Sequence, residues 1–196
     1  QWCDTYSKAV TLGSVNFIEG ADCFNTTLWF EPGKKPEPIY KKIHLFDVNV
    51  QGNKLNESDV YSHGLGPVIK QYKGFKIGFS ICYDLRFSEL YNYYSKHEVD
   101  LILVPSAFLV PTGRAHWHTL LRARAIESQC YVVAAAQVGK HGGSRESFGH
   151  SLCVGPWGDV IFDLAEKTPA IEVAVMETQK IQKVRAQIPM SEHRRL

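Results

Sequence analysis

Apolar and polar positions alternate along residues 9–17 (AVTLGSVNF) and again along 25–30, and both runs predict β-strands. The second is followed by a turn-rich Pro32-Gly33-Lys34-Lys35-Pro36. Residues 39–45 predict a third strand, whose two-residue period puts Tyr40, Lys42 and His44 on one face. Residues 47–66 are rich in Asn, Gly and Ser, follow no clear period and predict a long loop; such a loop in a compact domain is usually functional or mobile. A strand over 75–82 (FKIGFSIC), a short helix over 88–97 and a nearly unbroken apolar strand over 100–106 (DLILVPS) then form a βαβ unit with parallel, buried strands. Trp117, Leu120, Leu121 and Ala125 recur at three- and four-residue steps, predicting a helix over 115–129 that leads into a buried strand over 131–137. Residues 148–154 and 160–164 flank Gly155-Pro156-Trp157-Gly158-Asp159 as a hairpin. Residues 171–176 predict a last strand, and 177–188 an amphipathic helix stopped by Pro189. The class is α/β with a mixed sheet, and no internal repeat or low-complexity segment appears.

Composition narrows the function. A chain of 196 residues fits one domain that buries roughly 70% of its unfolded surface. Its 22 basic and 20 acidic residues leave a formal charge of +2, which lacks the one-sided field that nucleic-acid or membrane partners need. The densest basic cluster, His193-Arg194-Arg195, reads as a solvated tail or a surface contact. Five cysteines, an odd number without C-x-x-C spacing, argue against a disulfide framework and a zinc site and for a reducing compartment. The longest apolar stretch, around 99–110, holds an Asp and a Pro and is too short to span a bilayer. The start, Gln1-Trp2-Cys3-Asp4, is neither an initiator sequence nor a basic leader, so the chain is expected to begin inside a longer one.

Cys82 closes a predicted strand ahead of a helix, the edge where open α/β sheets place their sites. Backbone N–H groups near a helix start can bind developing negative charge and lower a thiol pKa. The alternative is a small buried hydrophobe, the ordinary state of a free cysteine and the reading kept for Cys130 and Cys153. Lys42 on an apolar strand would ordinarily snorkel to solvent. Arg86 and Asp84 are candidates for a surface ion pair. His116 and His118 project about 200° apart on a helix and cannot share an ion, so no metal or cofactor site is expected. No G-x-S-x-G elbow, P-loop or G-x-G-x-x-G is present.

A denser pattern lies across the whole chain: Tyr40-Lys41-Lys42-Ile43-His44-Leu45-Phe46-Asp47, Glu57-Ser58, Ile81-Cys82-Tyr83-Asp84-Leu85-Arg86-Phe87 and Pro105-Ser106-Ala107-Phe108. Thr112-Gly113, Ala115-His116-Trp117, Arg122 to Glu127, Gln129 to Gln137, Gly149-His150-Ser151 and Pro156-Trp157-Gly158 follow. In these motifs the chain resembles the nitrilase superfamily of carbon-nitrogen hydrolases, specifically its Nit branch. The resemblance implies an α-β-β-α sandwich of two mixed sheets over residues 1–196, incomplete at its N-terminus. It implies a cysteine-dependent amidase without cofactor, with Cys82 as nucleophile, Lys42 as its lysine and Glu57 as a second glutamate. The backbone N–H of Tyr83 and the Lys42 ammonium would hold the oxyanion of the tetrahedral intermediate before a thioester forms. Arg86, Phe108 and Thr112 match positions lining a pocket for a substrate carboxylate, which a guanidinium binds bidentately.

The same resemblance implies a small carboxamide substrate of the deaminated-glutathione kind, or α-ketoglutaramate-like substrates as in the ω-amidases. It also implies a homodimer or higher homo-oligomer, joined through the helix after Cys82 and the C-terminal tail. Tyr91, Tyr93 and Tyr94 crowd that helix, so at least one is expected at a partner surface. The expected compartment is the cytoplasm, with the mitochondrion an open alternative. Three departures stand out. The family's general-base glutamate belongs upstream of Gln1, so residues 1–196 alone are expected to be inactive; a non-catalytic interaction protein is the competing reading. His118 stands where the family commonly has Glu, and Ser88 replaces a Pro or Ala but can cap its helix.

Overall fold

The computed structural model describes residues 1–50, 53–141, 145–167 and 169–195. After a short helix α1 (Trp2–Tyr6), strands β1 (Val10–Glu19), β2 (Asp22–Phe30) and β3 (Glu37–Lys41) form an antiparallel sheet in that order. The predicted 47–66 loop instead carries an antiparallel hairpin, β4 (Asp47–Val50) and β5 (Asn53–Asn56), and a 3₁₀ turn over Glu57–Asp59. β6 (Ile69–Tyr72) and β7 (Phe75–Phe79) make a second hairpin, a 3₁₀ turn spans Cys82–Arg86, and α2 (Ser88–Lys96) leads to β8 (Leu101–Leu103). α3 (Val110–Ser128) is followed by β9 (Tyr131–Ala134), β10 (Val138–His141), β11 (Arg145–Phe148), β12 (Leu152–Val154) and β13 (Val160–Asp163). Helices α4 (Thr178–Gln187) and α5 (Met190–His193) close the chain.

The main sheet is mixed and six-stranded, in the order β13-β12-β9-β8-β7-β6. The predicted βαβ unit lies at its centre: β7 runs parallel to β8 with Gly78 opposite Ile102, and β8 parallel to β9 with Ile102 opposite Val132. One face buries Leu90, Tyr91, Tyr94, Trp117, Leu121 and Ala125 of α2 and α3 against Ile102, Val132 and Leu152. Full burial of an aliphatic side chain such as Leu121 contributes about 1.5–3 kcal/mol. Trp29, Ile39 and Tyr40 of the three-stranded sheet pack on Ile77, Phe79 and Ile81 at its other face. Helices, sheet and sheet are thus stacked in layers, as the resemblance implied.

Several boundaries move. α3 starts at Val110, earlier than predicted, because Pro111 is tolerated in a first turn whose N–H groups need no intrahelical acceptor. Gly113 in that turn sits against Phe148, where an added Cβ would come within 2.3 Å of the ring. The predicted 148–154 strand divides: β11 pairs with β10, whereas β12 pairs with β9 and β13. Between them Gly149 and His150 adopt left-handed φ values of 80° and 59°, which break the ladder. The predicted 171–176 strand joins no sheet among the described residues; Ile171, Val173 and Val175 are 94%, 80% and 79% exposed. Tyr91 and Tyr94 both reach the core, leaving Tyr93 outside beside His97. The basic tail makes a surface contact, with Arg194 donating to Asn92 and Ser95 of α2. No helix among the described residues is long and apolar enough to cross a membrane.

Candidate active site

The β7 ladder ends at Phe79, but isolated bonds carry it on: Ser80 N–H donates to Leu103 O (3.0 Å) and Cys82 N–H to Pro105 O (2.9 Å). Cys82 therefore opens the 3₁₀ turn rather than closing a strand, with a left-handed φ of 49°. A non-glycine residue rarely adopts that conformation, which costs about 1–3 kcal/mol and is found where the surroundings enforce it. Asp84 is the enforcer. It is fully buried and accepts four hydrogen bonds: from Ile81 N–H (2.9 Å), Tyr40 OH (2.7 Å), His44 N–H (3.0 Å) and His44 Nδ1 (2.8 Å). It makes no surface pair with Arg86, so that expectation is corrected. Arg124 supports the turn from α3, donating twice to Leu85 O at 3.0 and 2.9 Å.

β3 ends at Lys41, Lys42 N–H adds one more bond to Asn25 O of β2 (2.8 Å), and the His44 N–H then turns to Asp84. Lys42 does not snorkel: its side chain is 1% exposed and its Nζ lies 2.5 Å from Glu57 Oε2. Glu57 Oε2 also accepts from Phe46 N–H at 2.8 Å, so the hairpin between them returns the carboxylate to the lysine. Lys42, Glu57 and Cys82 line one cleft of about 330 Å³, shared with Asn25, Ser106, Gln137 and Ser151. Cys82 also belongs to an adjoining recess formed by Tyr83, Arg86, Phe108 and Thr112. Every residue selected from the sequence meets at this junction. Arg86 lies 5.2 Å from the Phe108 ring centre and within 3.1 Å of His116 Nδ1.

Protein atoms crowd the Cys82 thiol although the residue retains partial exposure. That desolvation pushes its pKa above the ordinary thiol range; the Lys42 charge and an Ala107 N–H bond pull it back, while Glu57 and Asp84 oppose them. Burial also raises Cys153, to about 11, and pushes Cys130 well above the ordinary range. Of these three thiols only Cys82 has a cation and a backbone donor directed at it. Tyr83, next in the 3₁₀ turn, has an N–H in the helical first turn, where intrahelical acceptors are lacking.

Comparison with known proteins gives the family. The carbon-nitrogen hydrolase family model matches residues 2–186. The chain belongs to that family. A deaminated glutathione amidase of Dictyostelium discoideum is 46% identical over 159 residues, 80% of this chain and 55% of that protein. A Synechocystis protein of the same name is 41% identical over 179 residues, 90% of this chain and 65% of its own length. The crystal structure of the Caenorhabditis elegans NitFhit protein superposes with a TM-score of 0.87 at 38% identity, over 98% of this chain and 48% of that one. Saccharomyces cerevisiae Nit3, a member of branch 10 of the nitrilase superfamily, gives a TM-score of 0.84 at 28% identity, over 99% and 69%. This carbon-nitrogen hydrolase chain thus spans about half to two thirds of the curated relatives it matches first.

Two side-chain groupings were not visible in the sequence. Asp84 looked like a surface carboxylate, and only the approach of Tyr40 and His44 reveals it as the latch between the Lys42 and Cys82 segments. His118 of α3, His150 and Asp163 converge on one another. The alternating His116-Trp117-His118 drew attention to the wrong pair, since the partners of His118 come from other elements.

Proposed function

We propose that Cys82 is the nucleophile of an amidase acting on a small carboxamide that also bears a carboxylate, of the deaminated-glutathione kind. The observation that carries the reading is Cys82 at the junction of two recesses, one holding the Lys42–Glu57 pair and the other Arg86. The Cys82 thiolate attacks the amide carbon, and the carbonyl electron pair moves to an oxyanion facing the Lys42 ammonium and the Tyr83 N–H. The carbonyl re-forms as the C–N bond breaks, the nitrogen takes a proton and leaves as ammonia, and a thioester remains. Water then cleaves the C–S bond, giving acid and free thiol. The resemblance assigns the proton carrier to a glutamate upstream of Gln1. Glu57, already engaged by Lys42 and the Phe46 N–H, holds the lysine in place. Arg86 would grip the carboxylate end of the substrate with Phe108 and Thr112 beside it.

The names of the Dictyostelium and Synechocystis relatives favour this substrate class over α-ketoglutaramate-like amides. The intact lysine–glutamate pair speaks against a non-catalytic role. We place the working protein in a reducing compartment such as the cytoplasm, in keeping with its five free thiols. We also assign it a homodimeric or larger assembly through α2, where Tyr93 stays 38% exposed close to the anchored tail. Acid-quenched mixtures of full-length enzyme and a deaminated-glutathione-like amide should contain a Cys82-linked acyl adduct by peptide mass spectrometry. Cys82→Ala should abolish both adduct and ammonia release. Undiminished ammonia release by Cys82→Ala would end the proposal.

A further inference from the structure

Asp163 at the end of β13, His150 in the turn before β12 and His118 on α3 bring one donor atom each to within 4.8 Å of one another. His118 Nε2 lies 2.9 Å from Asp163 Oδ2, and His150 Nδ1 lies 3.0 Å from both carboxylate oxygens. The arrangement is held from behind. His150 has a left-handed φ of 59°, its N–H donates to Ala165 O (2.6 Å), and its carbonyl accepts from Trp117 Nε1 (2.8 Å). Ala165 N–H donates to Asp163 Oδ1 at 2.7 Å. Phe148 stacks on the His150 ring at 4.3 Å, and the His118 ring meets His150 edge to face at 4.9 Å. Burial alone would raise the Asp163 pKa, but donation from His150, His118 and Ala165 outweighs it and holds the carboxyl below its usual range. All three side chains remain partly exposed, so an ion can enter from solvent.

We propose that His118 Nε2, His150 Nδ1 and the Asp163 carboxylate form a binding site for a divalent first-row transition cation, zinc foremost, separate from the Cys82 cleft. Two imidazole nitrogens and one carboxylate suit zinc and its neighbours, whereas calcium and magnesium prefer oxygen ligands. Three protein ligands leave a fourth tetrahedral position for water. At zinc–ligand distances of about 2.0–2.1 Å the donors would stand roughly 3.3 Å apart, so closure needs only side-chain adjustment. The ring protons now directed at the carboxylate move to the opposite nitrogens of each imidazole, and the cation takes their place. Bound metal would clip α3, the turn before β12 and β13 together. The proposal does not depend on the amidase reading, because none of these residues lines the Cys82 cleft.

Full-length protein freed of metal with a chelator should be titrated with zinc chloride by calorimetry and with cobalt chloride by visible absorption. One equivalent of zinc should bind per chain, and cobalt should give the d–d bands of a tetrahedral nitrogen/oxygen site. His118→Gln and Asp163→Asn should each weaken zinc binding at least about tenfold, within the range seen when a ligand or its support is lost. His97→Ala and Cys82→Ala should leave it unchanged. The cobalt spectrum of the unmutated protein reports on the site even where a variant folds poorly. Absence of saturable zinc binding, equal affinity in His118→Gln, or loss of binding only in Cys82→Ala would each overturn the assignment.

Discussion

Asp84→Asn is a sharp test of how the site is held. The carboxylate faces two donors at each oxygen: His44 N–H and Nδ1 at one, Tyr40 OH and Ile81 N–H at the other. An asparagine must turn its NH₂ toward one of these pairs. Tyr40 OH can rotate to accept, and His44 Nδ1 can accept in the other tautomer, but neither backbone N–H can reverse its role. In either orientation one buried N–H loses its acceptor, and the surviving bonds lose their charge assistance. A hydrogen bond to a charged group contributes about 1.5–3 kcal/mol, and a stranded donor adds its desolvation. The expected loss is about 2–4 kcal/mol of stability, read by urea denaturation at constant m-value. At about 2–4 °C per kcal/mol for a chain of this size, the melting temperature should fall by about 4–16 °C. Because Asp84 ties the Lys42 segment to the Cys82 turn, kcat/KM should fall by about tenfold or more even at temperatures where the variant is fully folded. Stability within about 0.5 kcal/mol of the parent, with unchanged kinetics, would refute the latch.

Three further outcomes are expected. The pH midpoint for Cys82 alkylation by iodoacetamide should rise in Lys42→Met and fall in Glu57→Gln, since the first removes a charge that lowers the thiol pKa and the second one that raises it; peptide mass spectrometry after brief labelling at several pH values distinguishes opposite shifts from a common one. Arg86→Lys should raise KM for carboxylate-bearing amides by about tenfold while sparing neutral amides, and equal losses on both would remove Arg86 from the carboxylate role. The folded-state pKa of Asp163 is depressed, so its contribution to stability is present above the unfolded value of about 3.9 and is lost as pH falls through the lower folded pKa; the stability gap between parent and Asp163→Asn in metal-free buffer should therefore close as pH falls through the acid range below about 4, and a gap that widens there would contradict the shift.

The central βαβ unit was legible because β8 and β9 are buried on both faces and must be apolar almost throughout. The candidate nucleophile was singled out by motif resemblance, not by position alone, since Cys130 and Cys153 also lie at or within buried strands. The β4–β5 hairpin was not legible: its DVNV and NKLN segments are short and polar, and pairing between them supplies the order that their composition lacks. The end of β3 was equally hidden. Alternation put Tyr40, Lys42 and His44 on one strand face; the Lys42 backbone still bonds Asn25 of β2, but long-range bonds draw the Lys42 ammonium to Glu57 and the His44 N–H to Asp84. Such contacts between residues distant in sequence leave no local period to detect.

The uncovered 171–176 run affects how the molecule behaves in a crowded solution. Ile171, Val173 and Val175 repeat at two-residue spacing, with Glu172 the sole charge among these six residues. Exposed apolar side chains at this spacing, in a segment outside the named strands, are a template for intermolecular strand addition, the route by which sheet proteins grow into aggregates. Whether these few residues are shielded therefore bears on how readily the protein self-associates.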